Sequence, residues 1–228
     1  MYYESTVTVY LRKDLPFYQC QEQLGGLISS AMLLDSELAT LHSSKGYKFY
    51  VFNGLWPIVV NSDYQANRTY IFNIRSLNKD FLRKLTSCLK RVDNPYLHVL
   101  ASEQKTLSPR FVQEIYTLTP IVVTTKEQKP WLTQKESLLD LIDSLNNNAM
   151  KKHLDFYGEK IAAPFIQRIE ILNKKPCKMT YKGRTMLGNK VRIIANEDQE
   201  SQKLVQTVLG AGLGEKNSVL GAGFCHGN

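Results

Sequence analysis

TYIFNIRSLNKDFLRKLTSCLKRVDNPYLHVLA (residues 69–101) changes its hydrophobic period twice. TYIFNI (69–74) has the β-branched and aromatic content of a strand. From about Asn78 to Val92 the apolar residues Phe81, Leu82, Leu85 and Leu89 recur at helical spacing, and LHVLA (97–101) reads as a strand again. Upstream, KFYVF (48–52) is a second strand, separated from residue 69 by turn material around Asn53-Gly54 and Asn61-Ser62-Asp63. Further back, residues 2–12 alternate as a strand. Pro16 then opens a segment in which Leu24, Leu27, Ile28, Ala31 and Met32 form a helical stripe, followed by a loop at Ser43-Ser44-Lys45-Gly46. The order is strand, helix, strand, strand, helix, strand, the split arrangement called ferredoxin-like.

The same order returns in the second half. IYTLTPIVVTT (115–125) reads as a strand bent at Pro120, and residues 134–153 as a helix through Leu138, Leu141, Ile142 and Leu145. FIQRIEIL (165–172) and VRIIA (191–195) are strands flanking a hairpin that includes KMTYKG (178–183). A helix from about Asp198 to Leu209 and a short strand beginning near Leu220 complete the pattern. The expected architecture is α+β, two tandem ferredoxin-like (RRM-like) domains, residues 1–109 and 110–228, divided near Pro109. A single mixed α+β domain is the competing arrangement.

Composition excludes several classes of function. With 43% hydrophobic and 22% charged residues the chain is globular rather than disordered. No apolar run approaches the roughly 18 residues of a membrane span, and MYYESTVTVY lacks the basic and apolar regions of a leader, so a cytoplasmic protein without membrane contact is expected. Cys20, Cys88, Cys177 and Cys225 lie far apart and form no CxxC, and His42, His98, His153 and His226 fall in no HExxH, so neither a metal site nor a cofactor is expected.

Charge is the positive signal. The net charge is +8, and between Arg168 and Arg192 eight cations face the single anion Glu170. Arg168, Lys174, Lys175, Lys178, Lys182, Arg184, Lys190 and Arg192 form the footprint expected for a polyanion, because neutralising phosphates releases condensed counterions. Arg75, Lys79, Arg83, Lys84, Lys90 and Arg91 offer a second basic patch, although charges on a helix are usually its solvated face.

GAGLGEKNSVLGAGF (210–224) is the most unusual string in the chain. Its glycines permit positive φ and close approach, so that successive amides can face either phosphate or a neighbouring sheet edge. It is no P-loop, since GxxxxGK[ST] is absent, and no Rossmann turn, since no strand precedes it. Paired glycines around a GEKNS core after a helix resemble the glycine-rich loop of the RAMP superfamily, specifically the CRISPR repeat-RNA processing endoribonucleases. The spacer between Gly214 and Gly221 is one residue longer than in that family. GLISSAMLLDSELATLHSSKGYKFYVFN (26–53) resembles the family's first helix and catalytic loop, and TLTPIVVT (117–124) the strand that opens its second domain.

The resemblance implies metal-independent RNA cleavage within CRISPR repeats. A 2′-OH attacks the neighbouring phosphorus and leaves a 2′,3′-cyclic phosphate, which needs a base, an acid and a cation. It assigns these roles to His42 and to Lys48, six positions on. The family's helix tyrosine is replaced here by Ser29, a poor base, which makes Tyr47 a candidate partner for His42. RNA-binding positions implied by the loop are Gly212, Gly214, Lys216, Asn217, Ser218, Gly221 and Gly223, beside the basic hairpin. The implied partner is CRISPR repeat RNA; a homodimer and a CRISPR effector complex are left open. Two alternatives stand beside this: a non-catalytic guide-RNA scaffold of the same fold, and a tandem RNA-recognition protein, although the latter's K/R-G-F/Y-G/A-F-V string is missing.

Overall fold

The computed structural model describes residues 1–59, 63–132 and 137–228. The turn material at Asn61 and Ser62 and the expected helix start at Gln134 therefore lie outside the described residues.

In the first half, β1 (Tyr2–Leu11) leads through a single 3₁₀ turn (Phe17–Gln19) into α1 (Cys20–Met32) and α2 (Ser36–Ser43), then β2 (Tyr50–Phe52), β3 (Thr69–Ser76), α3 (Lys79–Leu89) and β4 (Leu97–Leu107). The strands form one antiparallel sheet in the order β2-β3-β1-β4, with Tyr3 opposite Ser76 and Tyr10 opposite Thr69. Val7, Val9 and Leu11 alternate inward from β1 and meet Leu24, Leu27 and Ile28 of α1 and Leu82, Leu85 and Leu89 of α3, all fully buried. Asn78 starts α3 by accepting a hydrogen bond from the Phe81 amide at 3.0 Å.

The second half comprises β5 (Glu114–Thr117), α4 (Leu138–Tyr157), β6 (Ile166–Ile171), the hairpin β7 (Cys177–Tyr181) and β8 (Arg184–Gly188), β9 (Val191–Ala195), α5 (Gln199–Ala211), α6 (Asn217–Leu220) and β10 (Cys225–Gly227). Its sheet order is β10-β5-β9-β6, the same permutation as the first, while β7 and β8 pair only with each other. The fold is thus α+β with two tandem ferredoxin-like units. The β7–β8 hairpin turns on Lys182 (φ 49°) and Gly183 (φ 71°), both left-handed, as a two-residue hairpin loop requires.

Several expected boundaries move. The KFYVF strand shortens to β2 because Phe49 is left-handed (φ 51°), which breaks the extended run. IYTLTPIVVTT is a strand only as far as Thr117; beyond it Ile121, Val122 and Thr124 make isolated bridges. β4 continues to Leu107, and the last strand begins at Cys225 because α6 occupies residues 217–220. α2 was not expected. Asp35 starts it by accepting from the Glu37 and Leu38 amides, both at 3.1 Å.

The two units share buried structure. The even-numbered face of β1 is covered at Tyr2 and Glu4, because α5 packs there, and Gly210 lies against Tyr2 and Leu77. Arg75 is buried rather than part of a surface patch. Its Nε donates to Glu4 Oε2 at 2.5 Å, its other nitrogen donates to the Cys225 carbonyl at 2.5 Å, and its guanidinium lies 4.3 Å above the Phe224 ring. A buried charge is tolerated only when paired and bonded in this way. Among the described residues no helix is long and apolar enough to cross a membrane.

Candidate nucleic-acid site

The glycine-rich segment folds into a wedge between the two units. Gly212, Gly214, Gly221 and Gly223 are all buried and left-handed or at positive φ. Of the two uses open to their amides, the structure gives contact with neighbouring chain: Gly223 donates to the Pro120 carbonyl and Leu213 to the Gly223 carbonyl, both at 2.9 Å. A Cβ at Gly223 would sit 1.9 Å from the Leu213 carbonyl oxygen, and one at Gly221 would sit 2.1 Å from that of Phe52. Gly221 and Gly223 are therefore close-packed against neighbouring backbone, while Gly214 also borders an open cleft.

Each residue of GEKNS has a distinct place. Glu215 accepts from the Thr124 amide at 3.1 Å and its hydroxyl at 2.7 Å. Asn217, also buried, donates to the Leu213 and Ala222 carbonyls and accepts from Lys152 Nζ at 2.6 Å. Lys152 also donates to the carbonyls of Gly212 at 2.7 Å and Gly214 at 2.8 Å. Burial pulls its ammonium down to about 7, opposed by the nearby Cys225 and Glu215. Ser218 offers its carbonyl to the Tyr50 hydroxyl at 2.9 Å, while Lys216 is left-handed (φ 59°) and exposed.

Above this wedge lies a cleft of about 590 Å³. Tyr47, Lys48 and Tyr50 line one wall, Ser144, Asn147, Asn148 and Lys151 of α4 another, and Lys216 and Ser218 the floor. The α4 residues were missed by sequence reasoning, although polar side chains at 144, 147, 148 and 151 form one helical stripe that could have been read. Lys48, Lys151 and Lys216 make the cleft basic.

His42 lies in the last turn of α2 rather than in a loop. Lys48 Nζ donates to the Leu41 carbonyl at 2.6 Å, to that of His42, and to that of Ser44 at 3.4 Å. The ammonium thus closes the C-terminal end of α2, where a cation is favoured. Burial lowers its pKa from the ordinary lysine value. Tyr47 is shifted upward by burial and by the nearby carboxylates Asp155 and Glu215. The structure brings Lys48 against the His42 turn and places Lys48 and Tyr47 on the cleft, whose lining does not include His42. Ser29, half-buried on α1, makes no side-chain hydrogen bond to them among the described residues.

The basic hairpin stands apart from the cleft. Thr180 Oγ1 donates to the Tyr18 carbonyl at 3.1 Å and the Lys182 amide to Glu22 at 2.6 Å, which docks the hairpin on the start of α1. Lys174, Lys175, Lys178, Lys182 and Arg184 are exposed, and Lys190 is half-buried. Arg168 and Arg192 lie instead on the open face of the second sheet, where Arg192 pairs with Glu114 at 3.5 Å and Glu170 at 3.8 Å.

Residues 102–226 match the family described as CRISPR associated protein Cas6, C-terminal. A CRISPR-associated endoribonuclease Cas6 2 from Methanocaldococcus jannaschii is 26% identical, with 93% of this chain and 94% of that protein aligned. The fold is similar to a solved structure of a CRISPR associated protein Cas6, with TM-score 0.76, 20% identity and full coverage of both chains. It is also similar to a RAMP protein binding different RNA substrates, with TM-score 0.79, 18% identity and 99% of each chain covered. The family match spans more than half of the chain, and on it this protein belongs to the Cas6 family of CRISPR-associated proteins.

Proposed function

We propose that this protein is an endoribonuclease that cuts CRISPR precursor transcripts within their repeats, without a metal ion, to release guide RNAs. The observation that carries the reading is the His42 turn, closed by Lys48 beside a lysine-lined cleft, in a chain of the Cas6 family. His42 supplies proton transfer, since imidazole is the side chain suited to that role near neutral pH. Lys48 fixes the turn that carries His42 and brings positive charge toward the phosphate as its charge grows in the transition state. Tyr47 stays protonated and donates. Attack by the 2′-OH breaks the P–O5′ bond, so one fragment ends in a 2′,3′-cyclic phosphate and the other begins with a 5′-OH.

The basic hairpin and Lys216 grip phosphates outside the reacting centre. Retention of guide RNA without cleavage is the second reading, and Ser29, in place of a helix tyrosine, is the residue that favours it. Self-association and transfer of the product to an effector complex belong to the endoribonuclease reading. Incubation with the repeat RNA in excess chelator separates these possibilities. Undiminished cleavage with a cyclic phosphate end is expected, and a 2′-deoxy nucleotide upstream of the cut abolishes cleavage while leaving binding. Dependence on added magnesium refutes the mechanism, and binding without any cut product establishes the scaffold reading.

A further inference from the structure

Three aromatic side chains outside the cleft stand unusually open: Phe17 is 53%, Tyr18 53% and Trp56 59% exposed. Phe17 and Trp56 share one support. Phe17 lies nearly parallel to buried Tyr64, with ring centroids 6.1 Å apart and planes at 21°. Tyr64 donates its hydroxyl to the Leu55 carbonyl at 3.0 Å, and Leu55 precedes Trp56, whose amide and carbonyl both pair with Ile71. Tyr64 also packs edge-on against Tyr70. Phe17 is thus the outer plane of a fixed stack, with its other face open.

The basic hairpin adjoins this surface through the bond from Thr180 to the Tyr18 carbonyl. Lys178, Lys182 and Arg184 are exposed, and among the described residues none is ion-paired, while Lys182 lies 5.4 Å over the ring of Tyr181. Open aromatic planes beside unpaired cations suit one ligand chemistry: unpaired bases on a phosphate backbone, in which every base offers a face to stack and every phosphate a charge.

We propose that Phe17, Tyr18 and Trp56 form a stacking platform for a single-stranded segment of the RNA, held from one side by the hairpin cations. The proposal rests on the RNA-processing reading above and extends it to a surface at the opposite end of α1 from the His42 turn. The thirteen residues of α1 span about 20 Å. The platform therefore contributes affinity and register and leaves the chemical step untouched.

The test compares the wild type with Trp56→Ala and Tyr18→Ala on the repeat RNA of the cognate array, with abasic nucleotides replacing its bases in successive windows. One window should weaken wild-type binding by about 5- to 100-fold, the range of stacking a base on an aromatic side chain. The same window should cost Trp56→Ala nothing further, and both variants should keep the wild-type single-turnover rate at saturating protein. Trp131 is buried, so among the two tryptophans quenching of emission by the RNA reports Trp56. Equal sensitivity of wild type and variants to every window overturns the platform. So does self-association that Trp56→Ala abolishes while RNA affinity stays unchanged, which would assign the surface to a second copy of the chain. If the wild type binds and cuts the repeat but the variants match it throughout, the platform alone falls; if the wild type binds no repeat RNA, both readings fall.

Discussion

Replacing Gly223 with alanine should damage the fold more than any other single methyl group added to the glycine-rich segment. The new Cβ would stand 1.9 Å from the Leu213 carbonyl oxygen, and Gly223 has φ 67°. Holding alanine in the left-handed region costs about 1–2 kcal/mol. The contact with Leu213 is backbone, with no side-chain rotamer to relieve it, so the two segments must separate. Separation breaks the bond from the Leu213 amide to the Gly223 carbonyl and the bond from the Gly223 amide to Pro120, both 2.9 Å. Each of the two broken bonds costs about 1–2 kcal/mol, which with the strain gives a total loss of about 3–6 kcal/mol. That is a large part of the stability of a typical domain and corresponds to a fall in Tm of about 10–20 °C. Gly26 provides the opposite case: nothing lies within 4 Å of its added Cβ, and it sits inside α1 at helical φ. Gly26→Ala should therefore stabilise by about 0.5–1 kcal/mol. Chemical denaturation of both variants measures the pair. A Gly223→Ala protein within 1 kcal/mol of wild type, on the order of a single hydrogen bond, would refute the packing role assigned to the segment.

His42→Ala should slow single-turnover cleavage about a hundredfold or more while affinity for uncleavable deoxy RNA is kept, and a wild-type rate would relocate the site. Replacing Lys182, Arg184, Lys190 and Arg192 with alanine should flatten the logarithmic salt dependence of binding, by roughly 0.7–0.9 for each phosphate that is no longer neutralised. Arg192 should contribute least, being already paired with two carboxylates, and an unchanged slope would return the stretch to an ordinary solvated face. Lys152→Met removes the donor shared by three buried acceptors, and thermal unfolding should register a loss of about 3 kcal/mol or more; an unchanged Tm would contradict a structural role for that lysine. Burial pushes Glu4 upward, but Arg75 and Lys105 outweigh it and hold the carboxyl below its ordinary value. The folded state therefore binds the proton less readily than the unfolded chain. This contribution is complete above the unfolded carboxylate range near pH 4 and disappears as pH falls through the lower folded value. Glu4→Gln should flatten that acid limb, and an identical acid titration would remove Glu4 from the account.

The two ferredoxin-like units were legible because Val7, Val9, Leu11 and the stripes of α1, α3 and α5 follow their periods without interruption. Boundaries shifted where tertiary contacts outweighed local pattern. Phe49 has strand chemistry but adopts a left-handed turn, and Val219 and Leu220 read as strand but form a four-residue helix wedged against α1 and β2. α2 carried a readable signal in Asp35 followed by Leu38 and Leu41, which was obscured by the serines that follow. The site was legible in part. Lys48 meets the turn of His42, six residues before it, whereas the α4 wall of the cleft is about a hundred residues away. Arg75 looked like any surface cation, because nothing local announces that Cys225 will offer it a carbonyl.

The bond from Arg75 to Cys225 also bears on the order in which the protein is made. The His42 turn and Lys48 leave the ribosome early, within the first 50 residues, and domains commonly begin to fold as they emerge. Yet the cleft floor belongs to residues 214–219, and the carbonyl that satisfies the Arg75 guanidinium belongs to residue 225. Until those residues arrive, the first sheet carries a buried-to-be arginine and glutamate with one partner missing, and Tyr47 and Lys48 face no cleft floor. A chain that has reached only the first sheet thus holds Lys48 and the His42 turn without the cleft floor.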